Sequence, residues 1–451
     1  MTSTPTPIGH AAAAGGTQPT AARVGTVLGF TYGIVGLAST ATAVVVPTIR
    51  EQFDLSLATG AWIITAFVVG LAASAPIYGR IADLIGPRTP ITVGLAIMSV
   101  GAVLAAIAPT PTLLIIARGI VGVGAGAVPV LGPVIIAGRL EEPDRPGALT
   151  RMAGLAALAA GGLLLGAVVA DIASWRVVLA IPALALLFLG QVRKLSFDAD
   201  RGLSGLDVPG AVGVSAIAVG LNLVLQLGAN PAVGIAGIVL FVIGMVASIA
   251  GPRRGLTPFI PRGVLKRSAT WRIALAAAAI PATFFSLLIA IPAIFTEDLG
   301  ASRIEIGLWV LPAAIVGVVM GPIAVELRKH LAAKQIAGYG LLVAAVGLLI
   351  AAIFASQPIA LSVSFVFVAI AFSVGQAALL GMLTTATPEE ERGAGLAVFM
   401  VVFFLGGGIG GTLLTVVEAA SSLPVAVGVL AVLPAAAAIS TLTLRDSTLT
   451  A

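Results

Sequence analysis

Long apolar runs separated by short polar, glycine-rich or proline-rich breaks dominate the chain. The runs are about 18 to 25 residues long, the length a helix needs to cross a hydrocarbon layer about 30 Å thick. Fourteen can be read, at roughly residues 24–49, 58–78, 90–108, 111–137, 152–170, 174–191, 207–227, 231–251, 271–296, 304–325, 335–355, 358–385, 394–417 and 421–443. Strand-type alternation is absent, which argues against a membrane barrel. The pattern predicts an all-α integral membrane protein with about 14 transmembrane helices.

Composition agrees with this. Of 451 residues, 59% are hydrophobic and 10% charged, with a mean hydropathy of +1.13. That leaves too little polar surface for a soluble protein of this size. The 54 glycines and 27 prolines suit membrane helices, where small residues allow close packing and neighbours re-satisfy kinks. The absence of cysteine excludes disulfides and thiolate metal sites. Two histidines, His10 and His330, make a metal centre unexpected, and no cofactor is expected. Residues 1–22 lack Lys, Arg and an apolar core, so they read as a disordered cytoplasmic tail rather than a secretory signal.

Charge placement orients the chain. With the N-terminus cytoplasmic, 20 Lys and Arg fall on the cytoplasmic side and three, Arg50, Arg176 and Arg303, on the other; Arg118 alone lies inside a span. This asymmetry follows the positive-inside rule and supports an even number of crossings with both termini cytoplasmic. The net charge of +5 therefore reflects topology, and no nucleic-acid partner is expected. An internal repeat is visible as well. Pro76-Ile77 recurs as Pro322-Ile323, Gly94 as Gly340, Gly101 as Gly347 and Gly147 as Gly393, all at an offset of 246. Two related halves rocking about a central site is a common transporter plan. The expected division is a tail over 1–22, a six-helix bundle over 23–191, a linker with two extra helices over 192–270, a second bundle over 271–443 and a tail over 444–451.

The turn Gly79-Arg80-Ile81-Ala82-Asp83-Leu84-Ile85-Gly86-Pro87-Arg88 sets an acid between bases on a tight cytoplasmic loop. Asp83 can lie against a helix N-terminus or pair with an Arg, forming an electrostatic latch, or it can simply be solvated. Arg392, in the segment Pro388-Glu389-Glu390-Glu391-Arg392-Gly393 that parallels Pro143-Asp144-Arg145-Pro146-Gly147 of the first half, is a further candidate for this gate. Arg118 stands about seven residues into the fourth run. A guanidinium there costs roughly 2.5 to 3.5 kcal/mol on insertion scales. It reads either as a cavity charge that binds an anion or modulates a proton site, or as a group bonded to carbonyls of neighbouring helices.

The pattern G-x-x-x-D-x-x-G-x-R between the second and third runs resembles the signature of the major facilitator superfamily. Leu113 to Ala127, with Arg118, Gly122 and Gly124, is similar to its fourth-helix motif, and Ser174-Trp175-Arg176 with Ile181-Pro182 to its connection between helices five and six. The helix count resembles the drug-proton antiporters with fourteen spans. The resemblance implies a major facilitator fold, two six-helix bundles plus two extra central helices, opening alternately to each side. Where that group has an acid and an Asn in its first span, this chain has Ala38 and Ala43. Where its fifth span has Gly-Pro then Gly-Gly, this chain has Gly162-Leu163 then Gly166-Ala167. Gly122, Gly124, Gly161, Gly162 and Gly166 are read as close-packing positions. Arg118, Tyr32, Trp62, Thr65, Trp309, Gln376, Phe399 and Phe403 are read as lining a mostly apolar cavity. Asp171, Glu297 and Glu418 read as solvated helix ends.

The expected function is a secondary transporter in a bacterial cell membrane, acting as a monomer. Proton-driven export of lipophilic or amphiphilic molecules leads. The alternatives are a carrier of an organic anion or lipid-like metabolite with Arg118 as its contact, or a non-transporting scaffold. An enzyme is not expected, since no cluster of acids, His or nucleophiles accompanies a long extramembranous loop.

Overall fold

The computed structural model describes residues 19–199, 208–225, 227, 231–253, 267–386 and 392–444. The spans are α1 Ala21–Ala43, α2 Leu57–Ile85, α3 Arg88–Ile107, α4 Pro111–Arg139, α5 Glu142–Ile172 and α6 Trp175–Leu195. An added pair follows, α7 Val208–Val224 and α8 Pro231–Arg253. The second half comprises α9 Ser268–Glu297, α10 Arg303–Leu327, α11 Ala333–Ile353, α12 Pro358–Leu383, α13 Arg392–Ala420 and α14 Leu423–Leu442. Thirteen of these are long and apolar enough to cross a bilayer, and α7 is a shorter apolar helix of 17 residues. The chain is thus an all-helical, multi-pass membrane protein. Its N-terminal 18 residues and the basic loop over 254–266 lie outside the described residues.

One expected span is divided. The run over 24–49 breaks into α1, a turn at Val44 and Val45, and a short helix Val46–Phe53. Pro47 near the start of that helix explains the break, because its ring nitrogen donates no hydrogen bond and suits a helix's first turn. Asp54 ends it in the left-handed region, at φ 49°. The short helix carries Arg50, which pairs with Glu297 of α9.

Helices α1–α6 and α9–α14 pack mainly among themselves, and two seams join the sets. At one, α2 runs along α13; at the other, α5 runs along α10. The pair α7 and α8 pack on each other, and α7 lies against both α2 and α13, covering the first seam. Ser215 of α7 donates to the Ala73 carbonyl of α2. Asn222 of α7 donates its amide to the Ala218 carbonyl of its own helix at 3.1 Å.

The first seam depends on a run of small residues, Gly406-Gly407-Gly408-Ile409-Gly410-Gly411. Positions four apart on a helix share a face, and here each pair of glycines meets a different neighbour. A Cβ at Gly406 would lie 2.1 Å from the Ala278 carbonyl oxygen and one at Gly410 2.2 Å from that of Ala282, both on α9. At Gly407 it would lie 2.8 Å from Val68 of α2, and at Gly411 2.9 Å from Thr65 Oγ1 of the same helix. At Gly408 it would meet Asn222 Oδ1 of α7 at 2.2 Å. Five missing side chains thus let α13 meet the backbone of α9 and the side chains of α2 and α7 at close range.

The two faces are expected to differ in tolerance. Gly410→Val must push backbone against backbone, whereas Gly411→Val meets the movable ends of Thr65 and Ile289. Thermal unfolding of the detergent-extracted protein should show Gly410→Val as the more damaging. Gly411→Val should cost only about 1–3 kcal/mol, the usual range for overpacking.

Candidate functional site

Arg118 is the one charged side chain among the described residues that is fully buried, at 0% exposure. Its position follows from a close crossing of α2 and α4. A Cβ on Gly70 would stand 2.3 Å from the Gly119 carbonyl oxygen, and one on Gly122 1.9 Å from that of Phe67. Nothing larger than glycine fits, so Arg118, next to Gly119, lies directly against α2. Its Nε donates to the Ile63 carbonyl at 2.9 Å and one Nη to the Ala38 carbonyl at 2.6 Å. Its guanidinium carbon is 5.0 Å from the centre of the Phe67 ring, a cation–π distance. Each carbonyl has a second lone pair free for such a bond. The remaining nitrogen, Nη1, has no hydrogen-bond partner among the described residues. Arg118 therefore ties α4 to α1 and α2, and its partner on α1 is the backbone of Ala38, one of the two positions where the related antiporters carry an acid or an Asn.

The other expected cavity residues do not form one group. Tyr32, Trp62 and Gln376 are half-buried, and Thr65 is buried at the α2–α13 seam. Trp309 is 36% exposed on α10, where its carbonyl accepts from Ser362. Phe399 and Phe403 are buried in an aromatic cluster instead of facing open space. In that cluster Phe284 stacks on Phe365 at 5.6 Å and meets Phe372 at 4.8 Å; Phe372 meets Phe403 at 6.0 Å, and Phe403 stacks on Phe399 at 6.0 Å. A π-helical turn over Ala371–Gly375 interrupts α12 at this level and sets Phe372 between its neighbours. Ser373 in the same turn donates to the Gly317 carbonyl of α10 at 3.2 Å. Such turns carry an extra residue and have no apolar period by which to recognise them in sequence.

Among the packing glycines, Gly124 would place a Cβ 2.2 Å from the Met98 nitrogen, Gly162 2.1 Å from Thr40 Oγ1 and Gly166 2.4 Å from the Ala41 carbonyl. Gly161 differs from the expectation, for a Cβ there would meet nothing within 4 Å. It borders an apolar groove of about 280 Å³ between α1 and α5, lined also by Phe30, Ile34, Leu37 and Leu165. The adjoining 3-10 turn over Ala157–Gly161 stays against α1, with Thr40 Oγ1 donating to the Ala159 carbonyl at 2.7 Å.

At the turn between α2 and α3, Gly86 adopts φ +82°, and a Cβ there would lie 2.5 Å from the Phe197 carbonyl. Only glycine suits both constraints. The Arg88 amide donates to that carbonyl at 3.3 Å, its guanidinium to the Ser196 carbonyl at 3.0 Å, and it pairs with Asp198. Arg139 donates to the carbonyls of Leu195 and Ser196 at 2.8 and 2.7 Å. Gly86 and Arg88 thus fasten the turn to the segment that follows α6, within the same half. Arg80 approaches Asp83 to 3.9 Å one helical turn away. Gly79 is unconstrained by close neighbours, its Cβ position being 3.5 Å from Val130. The side chain of Arg392 lies outside the described residues.

The opposite face holds the ion pairs that sequence reading missed. Arg50, on the short helix, pairs with Glu297 at the end of α9. Arg303, at the start of α10, pairs with Asp171 at the end of α5 at 2.6 Å and donates to Thr48 Oγ1 at 2.9 Å. Asp171 and Glu297 were expected to be solvated helix ends. Instead each joins one half to the other, because the turn at Pro47 and the end of α5 bring them to the seams. Arg176 stays within its half, bonded to the Ala106 and Ala108 carbonyls at 3.0 Å. The signal was available: two of the three basic residues assigned to this face each have an acid opposite.

Residues 28–266 and 273–450 match the model of the Major Facilitator Superfamily. The chain belongs to that family. Its relatives include Cephamycin export protein CmcT of Amycolatopsis lactamdurans, 30% identical over 67% of this chain and 65% of that protein. Multidrug resistance protein 3 of Bacillus subtilis is 29% identical over 65% of this chain and 59% of its own. Multidrug efflux pump LfrA of Mycolicibacterium smegmatis is 27% identical over 84% and 77%. The match thus spans somewhat under two thirds of the first two relatives.

In this superfamily member the far-face pairs should hold the two halves closed on that side. Each partly exposed pair contributes about 0–1 kcal/mol. The sequence has no cysteine, so spin labels can be placed on Thr112→Cys and Ser421→Cys, exposed positions of the two halves. Combining Asp171→Asn with Glu297→Gln should broaden the measured distance distribution toward longer values. An unchanged distribution would show that the pairs do not hold this face.

Proposed function

We propose that the chain is a secondary active exporter of lipophilic or amphiphilic small molecules that works by alternating access. The observation that carries this reading is the pair of inter-half ion bridges on one face, Arg50 with Glu297 and Arg303 with Asp171. They close two helical sets that otherwise touch along two seams. A closed face is one of the two states that alternating access requires, the halves meeting on one side and parting on the other. The distribution of 20 basic residues against three assigns the bridged face to the outside. In that orientation both termini are cytoplasmic, the protein is resting closed to the exterior, and the α2–α3 turn with Asp83 lies at the cytoplasmic gate. The relatives named as exporters support the direction, and the aromatic cluster and the groove beside α1 support apolar cargo.

The proton gradient is the proposed driving force. Within the described spans every Asp and Glu sits in a first or last turn, so no carboxylate is placed to carry a proton across the middle. Asp83 lies at the inner gate, and Asp171 and Glu297 at the outer one. Nile red, a neutral lipophilic dye, tests the reading. Cells expressing the protein should release preloaded dye several-fold faster than control cells, and a protonophore should return them to the control rate. Release that ignores the protonophore would remove proton drive and leave export, whereas release that does not depend on expression would remove both.

A further inference from the structure

We infer that the transport path is selective for charge, admitting neutral and singly anionic amphiphiles with Arg118 as the anion contact and excluding lipophilic cations. This names the cargo class of the export reading and rests on it.

Two independent observations support the inference. The first concerns every carboxylate of the chain. Of 19 Asp and Glu residues, those that fall in described spans occupy a first or last turn. The membrane interior therefore offers a cation no counter-charge. An organic cation taken from water into such a path loses its hydration and gains no ion pair.

The second is the state of Arg118. It is wholly buried, and both bonds it makes go to neutral carbonyls, those of Ile63 and Ala38. No carboxylate bonds to it, and Nη1 has no partner among the described residues. The charge is held by dipoles and by the Phe67 ring, but it is not neutralised. Uncompensated positive charge in a low-dielectric setting attracts an anion and repels a cation over several ångströms. A guanidinium also has the planar fork that carboxylates and sulfonates fit. Depth fits this role. The apolar cluster containing Phe67 and Val121 meets the cluster containing Ile63 and Ala117 around this residue. The second cluster also includes Leu287 to Ile291 of α9 and Ile306 of α10, so it spans both halves on the far side. When the halves part there, packing that includes Ile63 and Ala117, the immediate neighbours of Arg118, is exposed. Bonds to carbonyls already used within their helices are also easily given up, because the helices keep their own hydrogen bonds when Arg118 turns toward a ligand.

Three dansyl compounds of similar shape test the inference: dansylglycine, an anion; dansylamide, neutral; and dansylcadaverine, a cation. Binding is read from dansyl fluorescence on the full chain in nanodiscs, and transport from proteoliposomes. Dansylglycine and dansylamide should bind and be transported, with dansylglycine the tighter, and dansylcadaverine should be at least tenfold weaker. Arg118→Gln should abolish the preference for dansylglycine over dansylamide, lowering dansylglycine binding the more, and Arg118→Lys should retain part of the preference. Elution as a single species in size exclusion confirms that each variant is folded. Binding of dansylcadaverine equal to that of dansylglycine would overturn the inference and leave export intact. So would an equal loss of all three ligands in Arg118→Gln and Arg118→Lys, which marks Arg118 as purely structural. Failure of the wild type to transport any of the three, together with expression-independent Nile red release, would remove the export reading itself.

Discussion

The six residues from Gly406 to Gly411 are the constraint on which the rest of the molecule depends. A membrane offers helices no hydrophobic reward for meeting one another, so association relies on close van der Waals contact. By omitting five side chains, α13 gains three such contacts in one and a half turns: with α9 inside its half, with α2 across the seam and with α7 of the added pair. The contacts differ in kind. Those with α9 are backbone to backbone and permanent, while those with α2 are to side-chain ends, Val68 and Thr65, which can slide. One helix is thereby fixed to its own half and only leans on the other.

A similar division runs through the polar groups. Most of the buried hydroxyls among the described residues bond inward to their own helix, as Thr31 does to Val27 and Ser99 to Leu95, and so cost little in lipid. Bonds between halves are concentrated instead at the far face, where Arg50 and Arg303 reach their acids. Arg118 stands apart from both groups. It joins three helices of one half without a counter-ion, which makes it the largest unbalanced charge in the interior.

Much of the architecture was legible because lipid allows few solutions. Runs of the right length had to be helices, since no other open backbone satisfies its own polar groups in lipid. The Gly86 turn was legible for a similar reason, since positive φ leaves few alternatives to glycine. What was hidden depended on third dimensions. Asp171 and Glu297 read as ordinary helix ends because nothing in a linear sequence says that residues 132 and 247 positions away from their partners face them. Phe399 and Phe403 read as cavity residues because their type suits either role; the neighbours Phe372 and Phe404 decide for packing. Arg118 was recognised as buried, but sequence left its partner open, and the answer proved to be backbone carbonyls.

The π-helical turn in α12 has a consequence of its own. A single added residue rotates everything beyond it by about 100° relative to an uninterrupted helix. The two ends of α12 therefore belong to different helical phases. Phe365 and the segment before Ala371 follow one phase, while Gln376 and Met382 follow another. Removing one residue from Ala371–Gly375 would not simply shorten the span. It would turn its whole second part against α9 and α11, exchanging the face now packed with one that is not.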